Sequence, residues 1–185
     1  MKILIKISAL FILFSTIACN QIADDILSPE NGSSLDEATI FSTPGLAKGA
    51  IDGILIPIGE TNSYRGRWIP WYGMNTDTEW YNSSESTSND NADLCVYDAK
   101  TNNSQMNTAN NVWAMMYQGI ERANIAIRGL RKYGNPTPGS ELGYYLGEAL
   151  TYRAVYYADL LKTWGDVPAR FEPITNETAY LPKTN

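Results

Sequence analysis

The sequence predicts a mainly α protein built on helical hairpins, with a long irregular, aromatic-rich region set ahead of its two longest helices. Three observations predict this. Around residues 106–133 and 140–163, apolar side chains recur at steps of three and four, the spacing that gathers them on one face of a 3.6-residue helix. A linker of about seven residues joins those segments, short enough to force an antiparallel hairpin. From residue 60 to residue 111 the periodicity disappears, and Trp, Tyr, Ser, Asn and Asp dominate instead.

Composition narrows the chemistry. The chain has 185 residues, 44% hydrophobic and 18% charged, the profile of one globular domain rather than a disordered segment. Net charge is −6. Residues 1–18 contain Lys2 and Lys6 and no acid; without them 12 basic and 20 acidic residues remain, a net −8. Such a surface does not neutralise phosphates, so no nucleic-acid partner is expected, nor a polybasic membrane footprint. The chain has no histidine and two cysteines, Cys19 and Cys95. A Cys/His zinc site and a His-dependent catalytic triad therefore cannot be assembled within it.

The elements follow in order. Residues 1–18, MKILIKISALFILFSTIA, combine a positive start with an apolar run too short to span a bilayer, ending at Ala18 before Cys19. This predicts a lipoprotein signal peptide and an acylated Cys19, although Thr16 stands where leucine is commonest. Ordinary secretion, with Cys19 as a stray thiol, is the alternative. Acyl chains contribute about 0.8 kcal/mol per buried CH₂, so a multiply acylated cysteine anchors stably. With Cys19 lipidated, Cys95 has no partner for an internal disulfide. Residues 19–34 are polar and acidic and read as a lipidated tether, with 35–185 as the folded domain.

Ser34 is predicted to cap a short turn through Asp36, Glu37 and Ala38. Thr43 and Pro44 then mark a helix start, a hydroxyl N-cap with proline at the first helical position. Leu46, Ala47, Ala50, Ile51, Ile54 and Leu55 form its apolar stripe, which Pro57 and Gly59 end. The second long helix is predicted from about Met106 to Tyr133, with Val112, Trp113, Met116, Ile120, Ala123, Asn124, Ile127 and Leu130 on its apolar face. Gly134 and Pro136 stop it. Ser140 caps the third helix, whose aromatic face carries Ala149, Tyr152, Arg153, Tyr156, Tyr157, Leu160 and Leu161. Gly165, free to adopt positive φ, closes it, and Pro168 prevents a restart.

The candidate binding residues lie in the irregular region. Between Tyr64 and Tyr81 stand Arg65, Arg67, Trp68, Trp71, Tyr72, Asp77, Glu79 and Trp80, followed by a Ser/Asn/Asp/Thr-rich run with one strand-like patch at Leu94–Tyr97. A pyranose has apolar C–H faces that stack on Trp or Tyr, and hydroxyls that need fixed polar partners. Trp68, Trp71, Asp77, Trp80 and Tyr81 are therefore the candidate ligand-binding residues; packing over the helical core is their other fate. Asp77 and Glu79 do not make a glycosidase pair, because two carboxylates two residues apart cannot straddle a scissile bond. With Asp90 or Asp93 they lack the spacing of a calcium loop. No catalytic residue, metal site or cofactor is assigned.

Several ordered strings resemble the SusD/RagB family. They are Arg153, Tyr156, Tyr157, Leu160, Trp164, Gly165, Asp166, Val167 and Pro168; the earlier Trp113, Tyr117, Ile120, Ala123, Asn124 and Ile127; and the opening Cys19, Asp24, Asp25, Leu27 and Pro29. The resemblance implies hairpins of tetratricopeptide type. It further implies a Bacteroidetes outer-membrane lipoprotein that captures glycans or peptides at the cell surface. Such a protein caps a SusC-type TonB-dependent transporter and hands it the ligand, without catalysis. Only one hairpin is visible, and the last residues hold no apolar run able to cover the aromatic helix, which suggests the N-terminal portion of a larger α domain. Two other functions stay open, a helical adaptor without a small-molecule site and a carboxylate-based surface glycosidase.

Overall fold

Local chemistry sets each helix start. The computed structural model describes residues 35–68, 76–79, 102–104 and 106–180. The signal peptide, Cys19, the tether, Trp71, Trp80, Tyr81, Cys95 and the patch at Leu94–Tyr97 lie outside those residues. Helix α1 (Glu37–Ser42) is capped by Asp36, whose carboxylate accepts from the Thr39 amide. That bond favours the ionised form and holds the Asp36 pKa below the usual carboxylate range. Helix α2 (Pro44–Leu55) starts where Thr43 and Pro44 predict it. The Thr43 hydroxyl caps nothing; its carbonyl receives the Leu46 and Ala47 amides, and proline supplies a ready-made helical φ. A 3₁₀ turn over Ile56–Gly59 follows, with Pro57 buried inside it rather than beyond it.

Helix α3 (Val112–Tyr133) begins six residues later than the apolar pattern suggests. Asn110 holds φ at 57°, which a right-handed helix cannot continue through, and the Asn111 side chain accepts from the Ala114 amide. At the other end Gly134 keeps helical angles while Asn135 turns left-handed at φ 43°. Glycine is needed at 134 for a different reason. A Cβ there would stand 2.8 Å from the carbonyl oxygens of both Leu130 and Phe41.

Helix α4 (Glu141–Trp164) is capped by the Ser140 hydroxyl on the Gly143 amide, as its sequence predicts. Gly165 ends it at φ 69°, with its amide on the Leu161 carbonyl. Helices α3 and α4 form the predicted antiparallel hairpin, with Trp113 near the start of one packed edge-on at 5.2 Å against Trp164 at the end of the other. Helices α1 and α2 cover one side of it.

The core is continuous across all four helices and joins Phe41, Ile51, Ile54, Met116, Ile120, Ile127, Leu130, Tyr156 and Leu160. Of the predicted face of α4, Ala149, Tyr156 and Leu160 are buried, Tyr152, Arg153 and Tyr157 are half-buried, and Leu161 stays 51% exposed. The last carbonyls of α2 find side-chain donors: Arg122 Nη1 reaches Gly53 O at 2.7 Å and the Tyr156 hydroxyl reaches Ile54 O at 2.6 Å. Among the described residues there is no strand, and no helix is long and apolar enough to cross a membrane.

Candidate functional site

The two ends of the irregular region meet side by side. After the 3₁₀ turn, residues Tyr64–Trp68 form a single π-turn in which the amides of Arg67 and Trp68 both donate to the Ser63 carbonyl, at 3.0 and 2.9 Å. The Asn62 side-chain amide donates to Ala109 O at 2.9 Å, tying this turn to the residues just before α3. The region therefore leaves and re-enters the helical body at adjoining points.

The π-turn is fixed to α4 from within. The Tyr64 hydroxyl donates to Asp159 Oδ2 at 2.8 Å, and both residues are buried. Trp68 Nε1–H donates to Thr163 Oγ1 at 3.0 Å, while the Thr163 hydroxyl donates to Asp159 O at 2.8 Å. The rings of Tyr64 and Trp68 lie 5.2 Å apart and tilted, and Tyr64 meets Tyr156 edge-on. Trp68 is thus half-buried against the core with its indole N–H committed to the scaffold. Asp77 is exposed in a bend closed by Thr76 N on Glu79 O at 3.0 Å. Its neighbour Glu79 is on the same bend, so the two carboxylates do not flank a common space. Of the predicted binding residues, the structure places Trp68 and Asp77; it seats Trp68 on α4 and leaves Asp77 at the surface.

A second polar cluster organises the segment after α4, which doubles back along the hairpin. Asn124, only 1% exposed on α3, donates from Nδ2 to Arg170 O and Glu172 O at 3.0 and 3.2 Å. Its Oδ1 accepts from Arg153 Nη1 at 2.8 Å, and Arg153 also reaches Phe171 O at 2.9 Å. Tyr117 donates to Pro168 O, Tyr157 to Arg170 O, and Glu121 accepts from the Ile174 amide. The sequence sets Asn124 on the apolar face, in step with Ile120, Ala123 and Ile127, where a buried amide needs partners; those partners, and the contact of Glu121, lie about fifty residues away and have no local signal. Beside this segment an open groove of about 530 Å³ runs along α4, floored by Leu150, Ala154, Tyr157 and Ala158; among the described residues Arg153 and Asp166 are its charged lining.

Burial decides the electrostatics. It pushes the phenols of Tyr64 and Tyr156 above their ordinary value, Tyr64 further through its bond to Asp159. It pushes Tyr117 up to about 12 and lowers the Arg153 guanidinium from its usual value. A raised folded-state phenol pKa means that, above pH 10, the unfolded chain releases protons the folded chain keeps. Stability is therefore full below pH 10 and falls as pH rises beyond it. Each of Tyr64 and Tyr156 contributes at most about 1.4 kcal/mol per pH unit, less where water screens the ring. Urea titrations at pH 9 and 11 should show the midpoint falling, with Tyr156→Phe falling less steeply. No group of three or more metal-ligating side chains gathers among the described residues.

A helical hairpin with the π-turn seated on its second helix, and tied through Asn62 to the residues before its first, defines a class: a helical scaffold. Residues 49–181 match the model of a SusD-like family, described as starch-binding and associating with the outer membrane. The chain belongs to that family. No curated protein and no solved structure matches it significantly.

Proposed function

We propose that the protein is a non-catalytic surface lipoprotein that captures a glycan and delivers it to a SusC-type TonB-dependent outer-membrane transporter. Cys19 carries the lipid anchor and the domain faces the cell exterior. The family match over 49–181 is the observation that carries this reading. The tryptophan-rich segment through Trp71, Trp80 and Tyr81 supplies aromatic platforms for sugar faces, with Asp77 as a polar partner. A peptide ligand is the variant of the same role. The test is affinity electrophoresis or calorimetry of residues 20–185 against a panel of polysaccharides. Retention that disappears with Trp71→Ala or Trp80→Ala is the expected result; release of reducing ends by the purified protein would overturn the non-catalytic role.

One observation favours a second reading, a helical adaptor. The outer face of α4 presents Tyr144, Gly147, Thr151, Ala154, Val155, Ala158 and Leu161 to solvent, with the half-buried Glu148 beside them. Trp71→Ala and Trp80→Ala proteins that keep every ligand affinity would support it.

A further inference from the structure

Among the described residues, three buried side-chain polar atoms have no hydrogen-bond partner: Ser63 Oγ, Arg67 Nε and Thr108 Oγ1. Buried polar atoms are nearly always paired, so each orphan needs a physical reason. All three come from one corner, where the π-turn lies against the residues before α3. Asn62 Nδ2 donates to Ala109 O at 2.9 Å, and Asn110 Nδ2 to Glu60 Oε2 at 3.5 Å. These bonds run the two stretches in opposite directions and set Ser63 against Thr108. Arg67 stands one turn beyond Ser63, its amide on the Ser63 carbonyl at 3.0 Å. Ser63 is 0% exposed and Arg67 is half-buried.

Donor chemistry narrows what satisfies them. Arg67 Nε–H can only donate, and both hydroxyls can donate too, so one acceptor can serve all three. Charge narrows it further. None of the ion pairs among the described residues includes Arg67. Glu60, the acid nearest to it in sequence, turns its carboxylate to Asn110, and Asp77 and Glu79 are exposed on their own bend. A guanidinium sunk in the protein without a counter-charge is costly. Water would complete the hydrogen bonds and leave that charge unbalanced. The geometry points to an anion site: an ion of halide size held by Arg67 Nε, Ser63 Oγ and Thr108 Oγ1. The three atoms are closed off from solvent, which suits a small free ion and not a charged group carried on a larger molecule. Such an ion bridges the π-turn to the residues before α3, beside the Asn62 bond.

The test is urea unfolding of the full chain as sodium bromide replaces sodium gluconate at constant ionic strength. A ligand that binds only the folded chain multiplies the folded-to-unfolded ratio about tenfold for each tenfold rise in its concentration above Kd. Wild type should approach that slope in bromide, and Arg67→Gln should flatten it. Thr108→Val gives an independent sign. Where the hydroxyl holds the ion, valine lowers the midpoint in bromide and not in gluconate. Were the site empty, removing an orphaned hydroxyl would leave stability unchanged or raise it in both salts, and the inference would fall. Crystals grown in bromide should show an anomalous peak bonded to Arg67 Nε, Ser63 Oγ and Thr108 Oγ1. A bromide response that survives both substitutions would overturn the site, as would a peak with no response in solution, an adventitious ion only. A midpoint lowered equally by Thr108→Val in both salts, with no peak, would assign the place to water and overturn the anion.

Discussion

Asn124→Leu should destabilise the protein by about 3 kcal/mol, although leucine has the same branched skeleton as asparagine and suits a helix better. The amide of Asn124 makes three hydrogen bonds, two to carbonyls of the segment after α4 and one from Arg153. Leucine would leave the half-buried Arg153 guanidinium short of an acceptor and free the Glu172 carbonyl, while Arg170 O would keep only the Tyr157 hydroxyl. Removing one partner of a buried polar set costs more than the set contributes as a whole. The segment from Asp166 onward should then loosen, which amide hydrogen exchange at Arg170 and Ile174 would report, since their amides donate to Tyr157 and Glu121. Unchanged protection there would show that the other contacts, from Tyr117, Tyr157 and Glu121, hold the segment alone.

Gly119→Ala should cost a further large amount, about 2 kcal/mol net. A Cβ at position 119 would lie 2.3 Å from Cε2 and Cζ of Tyr156. That ring cannot retreat: it is 1% exposed, meets Tyr64, and is tethered by its hydroxyl to Ile54 O. Overpacking costs about 1–3 kcal/mol, and against a ring held at 2.3 Å the upper figure applies, less about 1 kcal/mol regained from alanine's helix propensity. Tyr156→Leu alone is destabilising too, but the double variant should lose less than the two singles together by more than about 1 kcal/mol. Urea midpoints at constant m would measure it, and additivity within about 0.5 kcal/mol would mean that the ring does not fill the notch at Gly119.

These two residues show what the sequence made legible and what it did not. The hairpin could be read because periodicity, the Ser140 cap and the Gly165 stop are local signals, and each appears where expected. The start of α3 could not, because Met106 continues the apolar rhythm while the decision belongs to the backbone of Asn110 and the side chain of Asn111. Trp68 shows the limit for the site. Its residue type and its polar surroundings suit a sugar platform, but the partner that commits its N–H, Thr163, lies 95 residues away. Nothing local encodes that pairing. Gly119 likewise looks like a weak point in a helix until the ring of Tyr156 is placed against it.

The stitched ends of the irregular region bear on how such a protein changes over evolutionary time. Asn62 on Ala109 O holds the exit and the return together. Closing a longer loop across fixed ends is inexpensive, about 0.6 kcal/mol for each doubling of its length. Substitutions, insertions and deletions there alter what is presented while Phe41, Ile54, Ile120 and Leu160 go on packing as before. A lineage can thus vary the length of that segment at little cost in loop closure while the helical scaffold stays recognisable.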